Sequence, residues 1–297
     1  MEISYLLNRF CDYSSFMRGY SPDTIKRYRQ VTGMFCRHAE ITQIEDVSDN
    51  NVKEYFFHGR TVRSWSVGTF ITQHKSLIVF FRWCVKEGHM KYNFVEDLEL
   101  PKQEKRLPPK LSRQEAERLL EVIYNYPYSY KYLRGRNHAI FATFIFAGLR
   151  KKELLNLKLA DVDLENMSLF VRQGKGAKDR IVPICRKLAE SLERYLIERK
   201  RLKKTCPEFF ASLNHNMGLT VDGLDHLVKS IREASKIQFS IHKLRHTFAT
   251  LMLEGGCDIY SLSKMMGHSD IKTTTIYLAA TAEHLRSQMN KHPLNDF

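Results

Sequence analysis

A cluster of prolines constrains the fold of this chain more than any other feature of its sequence. The three prolines are Pro101, Pro108 and Pro109, and basic residues surround them. Proline fixes φ at about −65°, lacks an N–H donor and disfavours helix at the residue before it. Residues 101–111 are therefore expected to be an extended linker between one domain at 1–100 and a second domain at 112–297. The alternative is a surface loop.

The patterning of residues 1–100 is typical of helices. Ser21 followed by Pro22 indicates a helix start, because serine caps free N–H groups and proline is tolerated at the first helical position. A second helix is predicted from about Val67 to Lys86, where apolar residues recur with the period of a helix. No stretch in this region alternates convincingly between apolar and polar residues, so we expect a bundle of helices.

The second domain also begins with helical signals. Ser112 and Glu115 have the spacing of a capping box, in which each side chain binds the backbone N–H of the other residue. Helical patterns then cover residues 115–124 and 137–146. We expect this domain to be built mostly of helices.

A hairpin interrupts the helical pattern of the second domain. Segments 168–172 and 180–184 are short runs rich in β-forming residues, and the glycine-rich segment 174–179 between them favours a turn. Helical patterns resume at Leu188. The predicted fold class is mainly α (α+β), with an N-terminal helical bundle and a mostly helical second domain that contains a small antiparallel β-sheet.

The charge of the chain indicates a polyanionic partner. The formal net charge is +14, yet the first 100 residues carry 13 basic and 12 acidic side chains. Nearly all of the excess therefore lies in the second domain. A basic excess alone does not distinguish a nucleic acid from an anionic membrane surface.

The cysteines and the apolar segments limit the class of protein. The cysteines are Cys11, Cys36, Cys84, Cys185, Cys206 and Cys257, and their spacing matches no zinc motif. The longest apolar stretch, residues 139–149, is too short to span a bilayer, and no signal peptide opens the sequence. We expect a cytoplasmic protein with free thiols, no metal, no other cofactor and no membrane partner.

Candidate phosphate-binding residues occur in the second domain. Arg150 follows a glycine at a predicted helix start, where a guanidinium offers two parallel donors to phosphate oxygens. Glu153 has the spacing to hold that guanidinium. Lys175 lies at the predicted hairpin tip, where it can reach a leaving-group oxygen, and Lys178 is a competitor for this role. Taken singly, each of these is also explained as a solvated surface residue.

Two histidines and an arginine follow at helical spacing. His242 and Arg245 are three residues apart and share a helix face, where they can donate to a phosphate. His246 is four residues from His242, which invites a metal interpretation. A zinc-protease motif requires glutamate beside the first histidine, and lysine stands there instead. His246 is therefore interpreted as a satisfied, partly buried structural histidine.

The last candidates are a histidine and a tyrosine. His268 follows Gly267 at a predicted helix end, and Tyr277 comes nine residues later. An isolated tyrosine is usually a core residue. To act as a nucleophile, its phenol, with an ordinary pKa of about 10, needs a base or electrostatic help.

The order and spacing of these residues resemble those of the tyrosine recombinase (phage integrase) family. The matching stretches are Ala-Gly-Leu-Arg-x-x-Glu-Leu-Leu at 147–155, Gly-Lys-Gly-x-Lys-Asp-Arg-x-Val-Pro at 174–183, His-x-Leu-Arg-His-Thr-Phe-Ala-Thr at 242–250 and Met-Gly-His-x-x-Ile-x-Thr-Thr-x-x-Tyr at 266–277. The resemblance covers the second domain in detail and implies that residues 1–100 are a SAM-like core-binding domain.

The resemblance also implies a catalytic set. Its members are Arg150, Lys175, His242, Arg245, His268 and the nucleophile Tyr277. Tyr277 would form a 3′-phosphotyrosine and release a 5′-hydroxyl, to which Lys175 would give a proton. The two arginines would stabilise the transition state, and His242 and His268 would donate hydrogen bonds or act as acid or base. No metal is implied.

The subtype implied is Xer-like, or a phage or transposon type without an arm-binding domain. The partner would be double-stranded DNA, enclosed by a clamp of two domains, in a homotetramer or a heterotetramer with a second recombinase on two synapsed sites. Leu285 and Met289 of the tail would dock on a neighbouring subunit. Two departures bear on subtype: Leu-Ala at 278–279 and Lys-Lys at 151–152. The alternatives are a type IB topoisomerase-like enzyme and a catalytically silent DNA-binding protein.

Overall fold

The computed structural model describes residues 1–102, 108–172, 179–268 and 270–277. The chain divides into two compact units, Met1–Lys105 and Arg106–Phe297. The break between them falls within the segment predicted as a linker, of which residues 103–107 lie outside the described residues. Each unit has its own hydrophobic core.

The first unit is a bundle of helices. Its helices are α1 (Ile3–Phe16), α2 (Pro22–Ala39), α3 (Asp49–Thr61) and α4 (Val67–Lys86), with a short 3₁₀ turn at Ile44–Asp46. Serines begin three of these helices, because the side chains of Ser21, Ser48 and Ser66 accept hydrogen bonds from backbone N–H groups of the first turn. The predicted start of α2 and the predicted bounds of α4 are confirmed.

Aromatic side chains fill the core of this bundle. Phe10 of α1 contacts Tyr28 of α2 and Phe80 of α4, each pair meeting edge to face. Phe35 and Tyr55 join α2 to α3 in the same way. Aromatic pairs in this geometry add about 0.5–1.5 kcal/mol beyond the burial of their surface. Helix packing through large rings therefore holds the first unit together.

The second unit contains eight helices and three strands in its described part. They are α5 (Arg113–Asn125), α6 (Lys131–Ala147), α7 (Lys151–Asn156), β1 (Val162–Asp163), β2 (Ser168–Val171), β3 (Arg180–Pro183), α8 (Arg186–Arg201), α9 (Val221–Ser235), α10 (Ile241–Glu254), α11 (Ile259–Met266) and α12 (Lys272–Thr275). The capping box that begins α5 is present between Ser112 and Glu115. Helix α6 begins at Lys131, earlier than its apolar pattern predicts.

The sheet is small and antiparallel, as predicted. Its strand order is β1-β2-β3, and Leu169 of β2 lies opposite Val182 of β3. The predicted hairpin is therefore β2 and β3, while its tip at 173–178, which includes Lys175, lies outside the described residues. The predicted fold class, mainly α with a small antiparallel sheet, is confirmed.

Helix α6 is the central helix of the second unit. It contacts α5, α8 and α10, and most of its side chains are buried. Gly148 ends it in the left-handed conformation, with φ of 60°. A Cβ at this position would lie 2.2 Å from Cδ1 of Phe248 on α10, so only glycine fits both the turn and the packing. The turn delivers Arg150 to the start of α7.

No helix among the described residues is both long enough and apolar enough to cross a bilayer. The six cysteines are free thiols, and Cys11, Cys84 and Cys206 are buried.

Candidate active site

Glu153 of α7 organises the basic residues of the second unit. The backbone N–H of Arg150 donates to its Oε2 at 2.8 Å, and Nη1 of Arg150 donates to its Oε1 at 2.6 Å. Glu153 thus holds the guanidinium of Arg150, as the spacing predicts. Its carboxylate also caps the N-terminus of the helix that carries it.

Arg180, the first residue of β3, completes this ion pair from the opposite side. Its Nη1 and Nη2 donate to the two oxygens of Glu153 at 2.9 and 2.8 Å, and its Nε donates to the carbonyl of Met265 at 2.7 Å. The side chains of Arg180 and Glu153 are only 8% and 5% exposed. Two parallel bonds of this kind fix the orientation of both groups.

The pKa of Glu153 reflects these contacts. Burial on its own raises the pKa of a carboxyl group, because it penalises the charged form. Hydrogen bonds from Arg180 and Arg150, together with the charge of Arg180, outweigh burial and lower the pKa to about 2. Glu153 is therefore a permanent anion that orients two cations.

Arg245 of α10 is the most buried cation of the cluster. Its residue is 5% exposed, and its guanidinium donates to the carbonyls of Gly148 and Met266. Its Nη2 lies 3.3 Å from Nε2 of His268, and its Nη1 lies 4.0 Å from Glu153. Burial and the neighbouring charge of Arg150 lower its pKa to about 10.

His268 lies just beyond Gly267, which ends α11 in the left-handed conformation. Arg150 donates from Nη2 to the carbonyl of Gly267 at 3.0 Å, so the turn and Arg150 are held together. Because a guanidinium only donates, the Nε2 of His268 accepts from Arg245. Its Nδ1 then carries the proton and donates to Oγ1 of Thr274 at 2.7 Å.

Tyr277 packs into a small core between α10 and α11. It is 2% exposed and shares this core with Phe248, Leu262 and Met266. Its Oη lies 2.7 Å from Nδ1 of His246, so two residues that the sequence singles out are in direct contact. The prediction that His246 is satisfied and partly buried is confirmed, but its partner is the predicted nucleophile.

The pKa values of Tyr277 and His246 are shifted in opposite directions. Burial raises the pKa of Tyr277, while the charges of Arg245 and Arg150 oppose the rise. Burial lowers the pKa of His246, and the charges of His242 and Arg245 lower it further. At neutral pH this pair is a protonated phenol beside a neutral imidazole.

The structure therefore brings together four of the six predicted site residues. Arg150, Arg245, His268 and Tyr277 are linked by direct contacts or by their charges. His242 lies one turn before His246 on α10, where it is exposed. Lys175 lies outside the described residues.

The arrangement suits a phosphate group. The cluster contains three guanidinium groups and one carboxylate, that of Glu153, so it has an excess of positive charge. The cluster is also partly buried. Such preorganised cations stabilise the charge that develops when phosphorus is attacked. Among the described residues, no three His, Cys, Asp or Glu side chains gather in a way that would hold a metal ion.

Comparison with protein families identifies the chain. The model of the phage integrase family matches residues 109–284, and that of the N-terminal SAM-like domain of phage integrases matches residues 6–89. This chain belongs to the phage integrase family. It is a tyrosine recombinase of the Xer-like type.

Relatives match along almost the whole recombinase. The tyrosine recombinase XerA of Thermococcus kodakarensis is 38% identical over 94% of this chain and 92% of its own length. The tyrosine recombinase XerC 2 of Ralstonia nicotianae is 35% identical over 91% of this chain and 80% of its own length. The predicted family is confirmed, and the chain is an enzyme of site-specific DNA recombination.

A solved structure has the same fold. The XerH site-specific recombinase, in a post-cleavage complex with palindromic difH substrate, superposes with a TM-score of 0.75 and 24% identity. The match covers 96% of this chain and 83% of that one. It confirms the mostly helical architecture.

Two contacts of the recombinase site were missed from the sequence. The sequence places Arg180 in a strand and in the motif at 174–183 but gives it no role, although it shares the inward face of β3 with Val182. A cation on a buried face requires a partner, and this was the available signal. The contact between His246 and Tyr277 had no such signal, because it joins segments that only the tertiary fold brings together.

Proposed function

We propose that this recombinase cuts and rejoins double-stranded DNA with Tyr277 as its nucleophile and Arg150, Arg245 and His268 as ligands of the scissile phosphate. One observation carries the proposal: the phenol of Tyr277 is hydrogen-bonded to His246, the residue next to Arg245 in α10, and the charges of Arg245 and Arg150 oppose the rise that burial causes in its pKa. A phosphate bound by those guanidiniums is therefore proposed to lie beside the phenol.

The chemistry is an exchange of one phosphodiester for another. Oη of Tyr277 attacks phosphorus, the Oη–P bond forms, and the bond from phosphorus to the 5′ oxygen breaks. The two arginines neutralise the oxygens that do not react, and this stabilises the transition state more than the ground state. The resulting 3′-phosphotyrosine conserves the energy of the broken bond, so rejoining needs no nucleotide cofactor.

The departing 5′ oxygen needs a proton. Lys175 is proposed as its donor and His242 as a further hydrogen-bond donor to the phosphate. For Lys175 the support is the resemblance of its motif, Gly-Lys-Gly, to that of the family. His242 is exposed on α10, one turn from the buried pair of His246 and Tyr277, where a DNA backbone can reach it.

The partner of the enzyme is proposed to be duplex DNA in the cytoplasm. The positive charge of the second domain supports this, as does the DNA bound to the structurally similar XerH. Domain 1–100 is proposed to bind the core of the site, residues 101–111 to link it to the catalytic domain, and 112–297 to cut. Contacts to phosphates make the affinity fall steeply with salt.

The assembly is proposed to be a tetramer on two synapsed sites, built from copies of this chain or with a second recombinase. The support is the family resemblance of the C-terminal segment, in which Leu285 and Met289 are four residues apart and are proposed to form the docking face. This segment lies outside the described residues.

A covalent capture experiment tests the nucleophile. The recognition site is obtained first, by sequencing the duplex fragments that stay attached to the protein after denaturation. A duplex with that site and a nick beside the cleavage position then traps the intermediate, because the cut strand diffuses away. Wild type should give a protein–DNA adduct on a denaturing gel, with or without EDTA, and Tyr277→Phe should give none. An adduct with Tyr277→Phe contradicts the assignment.

A second readout separates the recombinase from the alternatives. Two labelled duplexes with the site are mixed, and exchange of strands between them is scored. A topoisomerase-like enzyme would relax a supercoiled plasmid that carries the site without exchanging strands. A silent DNA-binding protein would form neither adduct nor product.

A further inference from the structure

The phenol of the proposed nucleophile is hydrogen-bonded to His246. Its Nδ1 lies 2.7 Å from Oη of Tyr277, a normal length for a hydrogen bond, and the two rings are 5.6 Å apart at an angle of 50°. His246 directly follows Arg245, which lies deepest in the cation cluster. The same turn of α10 therefore carries a ligand of the phosphate and a partner of the phenol.

We propose that His246 aligns Tyr277 and accepts its phenolic proton when the phenol attacks phosphorus. The proposal rests on the assignment of Tyr277 as nucleophile. It gives His246 a catalytic role in place of a purely structural one.

The proton and the bonds balance in this step. The proton of the Tyr277 phenol passes to Nδ1 of His246, while Oη bonds to phosphorus and the 5′ oxygen leaves with a proton from a separate donor. His246 is then an imidazolium. On rejoining, the 5′-hydroxyl attacks phosphorus and gives its proton back to that donor, the Oη–P bond breaks, and His246 returns its proton to Oη, so the enzyme ends as it began.

The other two histidines are less suited to this role. The Nδ1 of His268 donates to Thr274, and its Nε2 faces Arg245, the side on which the phosphate is proposed to bind. His242 is exposed on α10, one turn away. The observed hydrogen bond of Oη is with His246.

The groups around His246 keep its imidazole neutral, so that it is able to accept a proton. The charged groups that face it are His242 and Arg245 on its own helix, and Tyr277 packs against it from the segment after α12. Burial lowers its pKa, as do electrostatic interactions with His242 and Arg245, so its ring is neutral at neutral pH. Burial raises the pKa of Tyr277, whose phenol therefore keeps its proton until a base accepts it.

The test combines His246→Asn with a more acidic nucleophile. Asparagine can place an amide group near the position of Nδ1, so it keeps a hydrogen-bonding partner for the phenol but not a base. Adduct formation on the nicked duplex is measured in a single turnover, with the protein saturated with DNA. We expect the rate to fall about 100-fold, within the usual range for loss of a general base.

Chemical rescue separates a base from a structural residue. A fluorinated tyrosine, introduced only at position 277 by codon suppression, has a more acidic phenol and needs less help to lose its proton. It should restore most of the rate in His246→Asn. In His242→Asn, which keeps the base, the same substitution should restore nothing. Gel shift and thermal melting check that each variant binds DNA and is folded.

Each other outcome overturns the proposal. An unchanged rate in His246→Asn removes the role, and a faster rate means that His246 restrains the nucleophile. A slow rate without rescue by the fluorinated tyrosine makes His246 a structural residue. An adduct formed by Tyr277→Phe is a different failure, because it overturns the nucleophile assignment itself.

Discussion

Arg180 donates to Glu153 from both of its terminal nitrogens, Nη1 to Oε1 at 2.9 Å and Nη2 to Oε2 at 2.8 Å. Its third nitrogen, Nε, donates to the carbonyl of Met265 at the end of α11. One side chain thus ties strand β3 to α7 and to α11, which deliver Arg150 and His268. Arg180 does not need to touch DNA to determine where those residues lie.

Arg180→Lys tests this relationship. Lysine keeps the charge but is a point donor that cannot copy the three bonds of the guanidinium. We expect a loss of about 2–4 kcal/mol in the free energy of unfolding, because Glu153 stays buried with part of its bonding lost. The rate of adduct formation should fall at least about tenfold through misplacement of Arg150. Urea unfolding and the nicked-duplex assay measure the two effects.

Arg113→Lys is the matched control. Arg113 pairs with Glu117 along α5, but the two side chains are 82% and 56% exposed. Exposed pairs contribute about 0–1 kcal/mol, so this variant should match wild type in both assays. Equal losses of stability and rate in the two variants would mean that the contacts of Arg180 contribute no more than those of the exposed Arg113.

The lowered pKa of Glu153 predicts how the stability of the protein depends on pH. Its pKa is about 2 in the folded protein against an ordinary value of 4.5. A lowered folded pKa gives stability that is fully present above the unfolded value and is lost as pH falls towards the folded value. At about 1.4 kcal/mol per pH unit, Glu153 contributes on the order of 3 kcal/mol above about pH 5.

The measurement compares wild type with Glu153→Gln, which has no carboxyl to titrate. The difference in their free energies of unfolding should be greatest near neutral pH and should shrink steadily between about pH 5 and pH 3. A difference that stays constant over this range would show that Glu153 is not held as an anion by Arg180 and Arg150.

Thr274→Val tests the orientation of His268. Thr274 is fully buried, and its Oγ1 accepts the proton on Nδ1 of His268 at 2.7 Å. Valine has nearly the same shape but removes the acceptor, which frees the ring to turn and to change its tautomer. We expect the rate of adduct formation to fall about 10- to 100-fold. The free energy of unfolding should fall by about 1–2 kcal/mol.

Thr143→Val controls for the loss of a buried hydroxyl. Thr143 is also fully buried, but its Oγ1 donates to the carbonyl of Ala139 within α6, away from the cluster. Its rate should stay within about twofold of wild type. If the two variants lose activity equally, the hydroxyl of Thr274 contributes to the fold in general and does not orient His268.

Gly148→Ala tests the turn that leads to Arg150. Alanine is strained at φ of 60°, and its Cβ would lie 2.2 Å from Phe248. The control is Gly256→Ala in the same unit, where φ is 88° and no atom lies within 4 Å of the added Cβ. Backbone strain costs each variant about 1–2 kcal/mol. Overlap should cost Gly148→Ala about 1–3 kcal/mol more in urea unfolding. Equal losses would mean that the backbone alone requires Gly148.

The helices were predictable where apolar periodicity and capping residues agree. Ser66 and the apolar face of α4 fix a helix whose bounds match the prediction. The first turns of α6, residues 131–136, are missing from the prediction because polar residues such as Arg136 look like surface residues in the sequence. Arg136 is buried, since it donates to Asn137 and to the carbonyl of Ala211. The burial of such a polar side chain is explained by its hydrogen-bond partners, which only the folded structure reveals.

The candidate site was predictable as a set of residues but not as a set of contacts. The motifs around Arg150, Arg245 and His268 single out these side chains. Local spacing cannot reveal that Arg180 shares Glu153 with Arg150, or that His246 meets Tyr277, because each contact joins elements far apart in the chain. Such pairings depend on how β3 and α12 pack.

The order in which these residues occur along the chain has a consequence for newly made protein. Arg150 donates to the carbonyl of Gly267 across 117 positions, and Tyr277 follows later still. A chain leaves the ribosome from its N-terminus, so the helical bundle of Met1–Lys105 is complete in the chain while the second unit still lacks Gly267 and Tyr277. The contacts of the cation cluster therefore form last, and a copy truncated before Gly267 lacks the carbonyl that Arg150 binds.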